Sequence, residues 1–65
     1  MPFARVFVPQ GALSDEQRRQ IIKGVSDVIN DVEQRPAELR PYTYVLISEV
    51  PAGHWGVGGE PYRRT

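Results

Sequence analysis

Ser14-Asp15-Glu16-Gln17-Arg18-Arg19-Gln20-Ile21-Ile22-Lys23-Gly24-Val25-Ser26-Asp27-Val28-Ile29-Asn30-Asp31-Val32 carries Ile21, Ile22, Val25, Val28, Ile29 and Val32 at the spacing of one face of an α-helix. Ser14 and Gln17 stand as in a capping box. The Ser14 hydroxyl accepts from the Gln17 backbone N–H, and the Gln17 side chain reaches back to the helix start. Asp15 and Glu16 favour the positive end of the helix dipole. Arg18, Arg19, Lys23, Asp27 and Asp31 are left to face water, and Arg35-Pro36 ends the helix because the residue before a proline avoids the α region.

Two strand-like segments flank this helix. Phe3-Ala4-Arg5-Val6-Phe7-Val8 is β-branched and aromatic and stops at the turn Pro9-Gln10-Gly11. Alternation puts Phe3, Arg5 and Phe7 on one face and Ala4, Val6 and Val8 on the other, and both faces are expected to be partly buried. Tyr42 to Val50 is the second strand, bounded by Pro41 and Pro51. Strand, helix, strand predicts an α/β fold: a single βαβ unit with parallel strands and a right-handed crossover. Gly53 to Pro61 has the chemistry of a C-terminal hairpin, and residues 1–65 read as one domain. One helix covers only one face of a two-stranded sheet, so the other face and the strand edges call for a partner.

Composition points the same way. A 65-residue chain that is 40% apolar is short of a self-sufficient core. It has no Cys for disulfides or thiolate metal sites and one His, so oligomerisation is the remaining route to stability. Eight Lys and Arg balance eight Asp and Glu, without the basic excess of a nucleic-acid binder. The longest apolar run, Val45-Leu46-Ile47, is far short of the ~20 residues of a membrane span, and Met1-Pro2-Phe3 does not open like a signal peptide. No nucleic acid, no membrane and a cytoplasmic location are the expectations.

Gly56-Val57-Gly58-Gly59-Glu60-Pro61 is not a phosphate loop. Proline stands where the last glycine of G-x-G-x-x-G belongs, and no helix follows. These glycines instead supply positive φ or close backbone approach in a tight hairpin. His54 reads as a hydrogen-bonded surface or interface residue. Trp55 reads equally as an interface aromatic and as a wall that dries a site. Pro2, once Met1 is removed, would present a secondary amine at the start of a strand. Reference α-amino groups titrate at about 7.7–8.0, and desolvation lowers that value.

Met1-Pro2 leading into a strand, Ser14-Asp15-Glu16-Gln17 opening the helix, Ser48-Glu49-Val50 closing the second strand, and Gly53-His54-Trp55-Gly56-Val57-Gly58-Gly59-Glu60 together resemble the 4-oxalocrotonate tautomerase family, over nearly the whole chain. The resemblance implies a βαβ subunit that pairs into a four-stranded sheet and assembles as a homohexamer, a trimer of dimers. It implies Pro2 as general base, moving a proton between the enol and keto forms of a small 2-oxo acid without cofactor or metal. Trp55 matches the family's active-site aromatic.

The chain also departs from that pattern. The family's dicarboxylate enzymes carry an arginine after the first turn, where this chain has Ala12-Leu13, and another early in the second strand, where the register gives Tyr44. About three extra residues lie around Arg35 to Pro41. Arg40 is the cation nearest to the second position, Tyr42 and Tyr44 are neutral donors, and Arg5 lies on the aromatic face close to Pro2. Without a bidentate arginine a substrate carboxylate loses its strongest donor, which favours a monocarboxylate or aromatic enol such as phenylenolpyruvate over 2-hydroxymuconate. The alternatives are a non-catalytic or ligand-binding subunit on the same scaffold, and a hydratase, dehalogenase or decarboxylase of the same superfamily. While Met1 is attached, the Pro2 nitrogen is an amide without basicity.

Overall fold

The computed structural model describes residues 2–62, so Met1, whose removal the catalytic reading requires, lies outside the described residues. Strands β1 (Phe3–Pro9) and β2 (Tyr44–Val50) pair in parallel, from Phe3 opposite Tyr44 to Pro9 opposite Val50. Helix α1 (Asp15–Val32) connects them and packs against β2. Strands β3 (Gly56–Val57) and β4 (Glu60–Pro61) form the antiparallel C-terminal hairpin. The expected βαβ unit with a hairpin is therefore the fold.

The capping box forms as the sequence predicts: Gln17 N–H donates to Ser14 Oγ at 3.2 Å, and Ser14 N–H donates to Gln17 Oε1 at 2.9 Å. The other end of α1 differs from expectation. The helix stops at Val32, before Arg35-Pro36, because Gln34 takes φ +54° and its N–H donates to the Asp31 carbonyl while Arg35 N–H donates to the Asn30 carbonyl. This pair of bonds is a Schellman closure, with glutamine in the left-handed position usually given to glycine.

Tyr42 and Thr43 lie outside β2, contrary to their β-forming composition. Tyr42 ends a 3₁₀ helix, Ala37–Tyr42. Thr43 N–H closes that helix on the Arg40 carbonyl, and the Thr43 hydroxyl donates to Asn30 Oδ1 at 2.5 Å. These local bonds outweigh strand propensity, which is a weak and context-dependent preference.

Residues of β1 and β2 are half-buried and exposed largely in alternation, and Ile21, Val25 and Ile29 on α1 are half-buried. The other sheet face is not covered within one chain. Phe3 is 65% and Phe7 62% exposed, and Tyr44 and Leu46 join them, so burial of both faces does not occur in the isolated subunit. Val28 and Val32 of the helical stripe are exposed as well. Among the described residues no hydrophobic side chain is fully buried, and Asn30 is the one buried residue, at 3%. The chain exposes 5060 Å², against about 4,200 Å² for a folded monomer of its mass. No helix among the described residues is long and apolar enough to cross a membrane. On the solvent side of α1, Lys23 donates to Asp27 at 2.8 Å, and this hydrogen bond, with the attraction between the two charges, holds its ammonium pKa above the usual value.

Candidate active site

Pro2 sits immediately before β1 and is half-buried. Its carbonyl accepts the Tyr44 N–H at 3.0 Å, which ties the ring to the start of β2 and leaves the nitrogen outside the sheet's hydrogen bonding. Tyr44 stands opposite Phe3 with ring centroids 6.3 Å apart. Thr43, anchored on Asn30, holds the strand entry from below. Pro2 and Tyr44 are thus brought together at the start of the sheet.

Arg40 lies at the same end of the sheet, but its guanidinium is turned back onto the end of α1. Nε donates to the Arg35 carbonyl at 3.1 Å and Nη1 to Asp31 Oδ1 at 2.9 Å. Tyr42, in the 3₁₀ helix, is half-exposed. Arg5 is on the opposite sheet face from Ala4 and Val6, donates to Ser48 Oγ at 3.0 Å, and lies 4.9 Å above the Phe7 ring.

Trp55 is at the other end. It follows β2 and packs beside Pro9 and Val50, whereas Pro2 precedes β1. Seven strand residues rise about 20 Å between those ends, so no single chain brings Trp55 to Pro2. Parallel pairing was sufficient to foresee this separation, since both strands start at the same end and the segment after β2 must lie beyond the far one.

The glycines place Trp55. Gly58 and Gly59, with φ of +62° and +85°, make the two-residue turn between β3 and β4, a conformation that L side chains adopt only with strain. A Cβ on Gly56 would meet the Glu60 carbonyl oxygen at 2.6 Å, so this position admits no side chain. Tyr62 N–H donates to the Trp55 carbonyl at 2.8 Å, Gly53 N–H donates to the Tyr62 carbonyl, and the Trp55 and Tyr62 rings stack at 4.3 Å. With Phe7, Val8, Pro9 and Val50, Trp55 lines an open groove of about 270 Å³. Tyr62 and Val50 were not foreseen as site residues; an aromatic directly after the hairpin was the only signal for Tyr62.

At the groove's end of the sheet Arg18 donates to Glu49 Oε1 at 3.0 Å and to the Leu13 carbonyl, and also pairs with Asp15. His54 is exposed. Among the described residues no three His, Cys, Asp or Glu side chains cluster as metal ligands.

The family model described as tautomerase enzyme matches residues 2–64. The chain belongs to the tautomerase family. It is 38% identical over 61 residues to 2-hydroxymuconate tautomerase of Pseudomonas putida, covering 94% of this chain and 90% of the relative. It superposes on a 4-oxalocrotonate tautomerase isozyme from Methylibium petroleiphilum with a TM-score of 0.80, at 30% identity and 92% and 90% coverage. DmpI from Helicobacter pylori matches with a TM-score of 0.78, at 34% identity and 92% and 88% coverage. As a tautomerase this chain is an isomerase of the keto–enol type acting on a small molecule, and the non-catalytic alternative finds no support.

Proposed function

We propose that this tautomerase interconverts the enol and keto forms of a small 2-oxo acid in a site built by two subunits, with Pro2 of one chain, freed of Met1, facing the Trp55 groove of the other. The separation of Pro2 and Trp55 along β1 carries this reading. β2 occupies one edge of β1 and leaves the other edge open. Two β1 edges joined antiparallel about a two-fold axis perpendicular to the sheet would make a four-stranded sheet with both helices on one face. That arrangement sets the Pro2 end of each strand beside the Val8-Pro9 end of its partner. Pairing through β2 edges would keep Pro2 and the groove two strands further apart.

The chemistry needs one base that serves two atoms. The Pro2 amine accepts the enol hydroxyl proton as the O–H bond breaks, leaving an enolate; as the oxygen pair closes to the carbonyl, the electron pair of the carbon–carbon double bond shifts to carbon and takes that proton from the ammonium. Proton and electrons balance without cofactor or metal. The base must be neutral at working pH, which suits an α-amine whose pKa is lowered by an apolar wall. The aromatic face bearing Phe3, Phe7, Tyr44 and Leu46 stays open after dimerisation, which supports further assembly into a homohexamer, a trimer of dimers.

Mixing subunits tests the shared site. Pro2→Ala chains and Trp55→Ala chains, each nearly inactive alone, are unfolded together and refolded. Random pairing about a two-fold axis makes half the dimers mixed, and each mixed dimer has one intact site, so about a quarter of wild-type activity returns. No recovery, with mixed dimers shown by native mass spectrometry, would refute the two-subunit site.

A further inference from the structure

Arg5 stands apart from the other cations of the chain. Among the described residues Arg18, Arg19, Lys23, Arg35 and Arg40 each pair with a carboxylate, and Arg5 has no acidic partner. It is nonetheless held in place. Its Nε donates to Ser48 Oγ at 3.0 Å, and its guanidinium lies 4.9 Å from the centroid of the Phe7 ring. Ser48 is the residue opposite Phe7 in the parallel register. The side chain therefore leans along β1 to the level of that pair, away from its own Pro2 and toward the Trp55 end. Phe7 is a wall of the Trp55 groove, which puts the guanidinium at the groove's rim. Neither Nη atom has an acceptor among the described residues, so the fork that chelates a carboxylate is free. Arg18, at the same end of the sheet, is already committed to Glu49, Asp15 and the Leu13 carbonyl. Covering the aromatic face would bury a cation at Arg5, which is costly unless an anion comes with it. The 2-oxo acid of the proposed reaction brings one, on the carbon next to the enol.

We propose that Arg5 is the substrate-binding residue for that carboxylate, gripping it through both Nη atoms at the rim of the groove, with Ser48 and Phe7 as positioning residues. This rests on the reading that the partner's Pro2 reaches the groove. A carboxylate held there fixes the enol oxygen on the adjacent carbon at the mouth that faces the amine.

Trp55 is the single tryptophan of the chain, so its fluorescence follows groove occupancy without turnover. The processed protein, checked by intact mass, is titrated with hexanoate and with its uncharged counterpart hexanamide. We expect the wild type to bind the acid at least about tenfold more tightly. Arg5→Gln should bind the two about equally, with its oligomer unchanged by native mass spectrometry. In that variant kcat/KM for phenylenolpyruvate should fall at least about tenfold, mostly through KM, because the contact is made before and during proton transfer. Arg5→Lys keeps the charge without the fork and should retain only part of the preference, so it carries the test if Arg5→Gln does not assemble. A wild type indifferent to the charge, or a preference unchanged in either variant, overturns the proposal. Lost assembly in Arg5→Gln with the full preference kept in Arg5→Lys would assign Arg5 to a contact between subunits instead. An Arg5-dependent preference for the acid with no enol turned over would refute the Pro2 reading and leave the carboxylate site standing.

Discussion

The two ends of the parallel sheet differ in kind. At the Pro2 end, order comes from hydrogen bonds: Thr43 to Asn30, Tyr44 N–H to the Pro2 carbonyl, Arg40 to Asp31 and the Arg35 carbonyl. At the Trp55 end the backbone hydrogen bonds of Tyr62 and Gly53 are joined by apolar contact and backbone shape: a glycine turn, a stacked pair of rings and a groove of valine, proline and phenylalanine. The first end positions an atom and the second offers a surface. Proton transfer needs a base within hydrogen-bond reach of its target, and a dry site needs apolar bulk; one chain separates the two, and the proposed two-subunit site would join them.

Breaking the first end at the proposed base, the Pro2 nitrogen, should have the largest effect. One additional residue before Pro2 turns the nitrogen into an amide, and kcat/KM should fall about 10²- to 10⁴-fold. With the free amine, kcat/KM should decline below the pKa of the Pro2 ammonium, since the protonated base cannot accept; a rate unaffected by the extension would remove Pro2 from the mechanism. Breaking the support beneath that atom should cost less. Thr43→Val leaves the buried Asn30 amide without its partner and should destabilise the protein by about 1–3 kcal/mol in denaturant titrations, with Thr43→Ser restoring most of it. An unchanged midpoint in the valine variant would show that this bond does not hold the strand entry. The smallest effect belongs to the other end. Tyr62→Leu removes the stack on Trp55, worth about 0.5–1.5 kcal/mol, and should raise KM for an aryl enol a few-fold with little change in kcat. A drop in kcat without a change in KM would mean that Tyr62 acts on the chemistry rather than on the wall.

Much of this was legible before any coordinates. The cap at Ser14 and Gln17 and the hairpin with its glycines follow from local rules, in which a residue's neighbours in sequence are also its partners in space, and the parallel pairing follows from the strand–helix–strand order. Three features followed other rules. Tyr42 left the strand because Thr43 bonds to a residue thirteen positions earlier. The helix ended at Val32 because Gln34 accepted a left-handed conformation that its side chain does not advertise. Val50 and Tyr62 became site residues only through what they pack against.

By itself the sequence determined the elements, their order and the family motif, because capping, alternation and turn chemistry act over a few residues. The shortage of core was also visible there, as too few apolar side chains for the length. Only the tertiary structure decided where that shortage falls: on the Phe3, Phe7, Tyr44 and Leu46 face, with no hydrophobic side chain buried among the described residues. It also decided that Pro2 and Trp55 stand at opposite ends of β1. Burial and separation are set by how the elements pack in three dimensions, and local sequence rules do not carry that information.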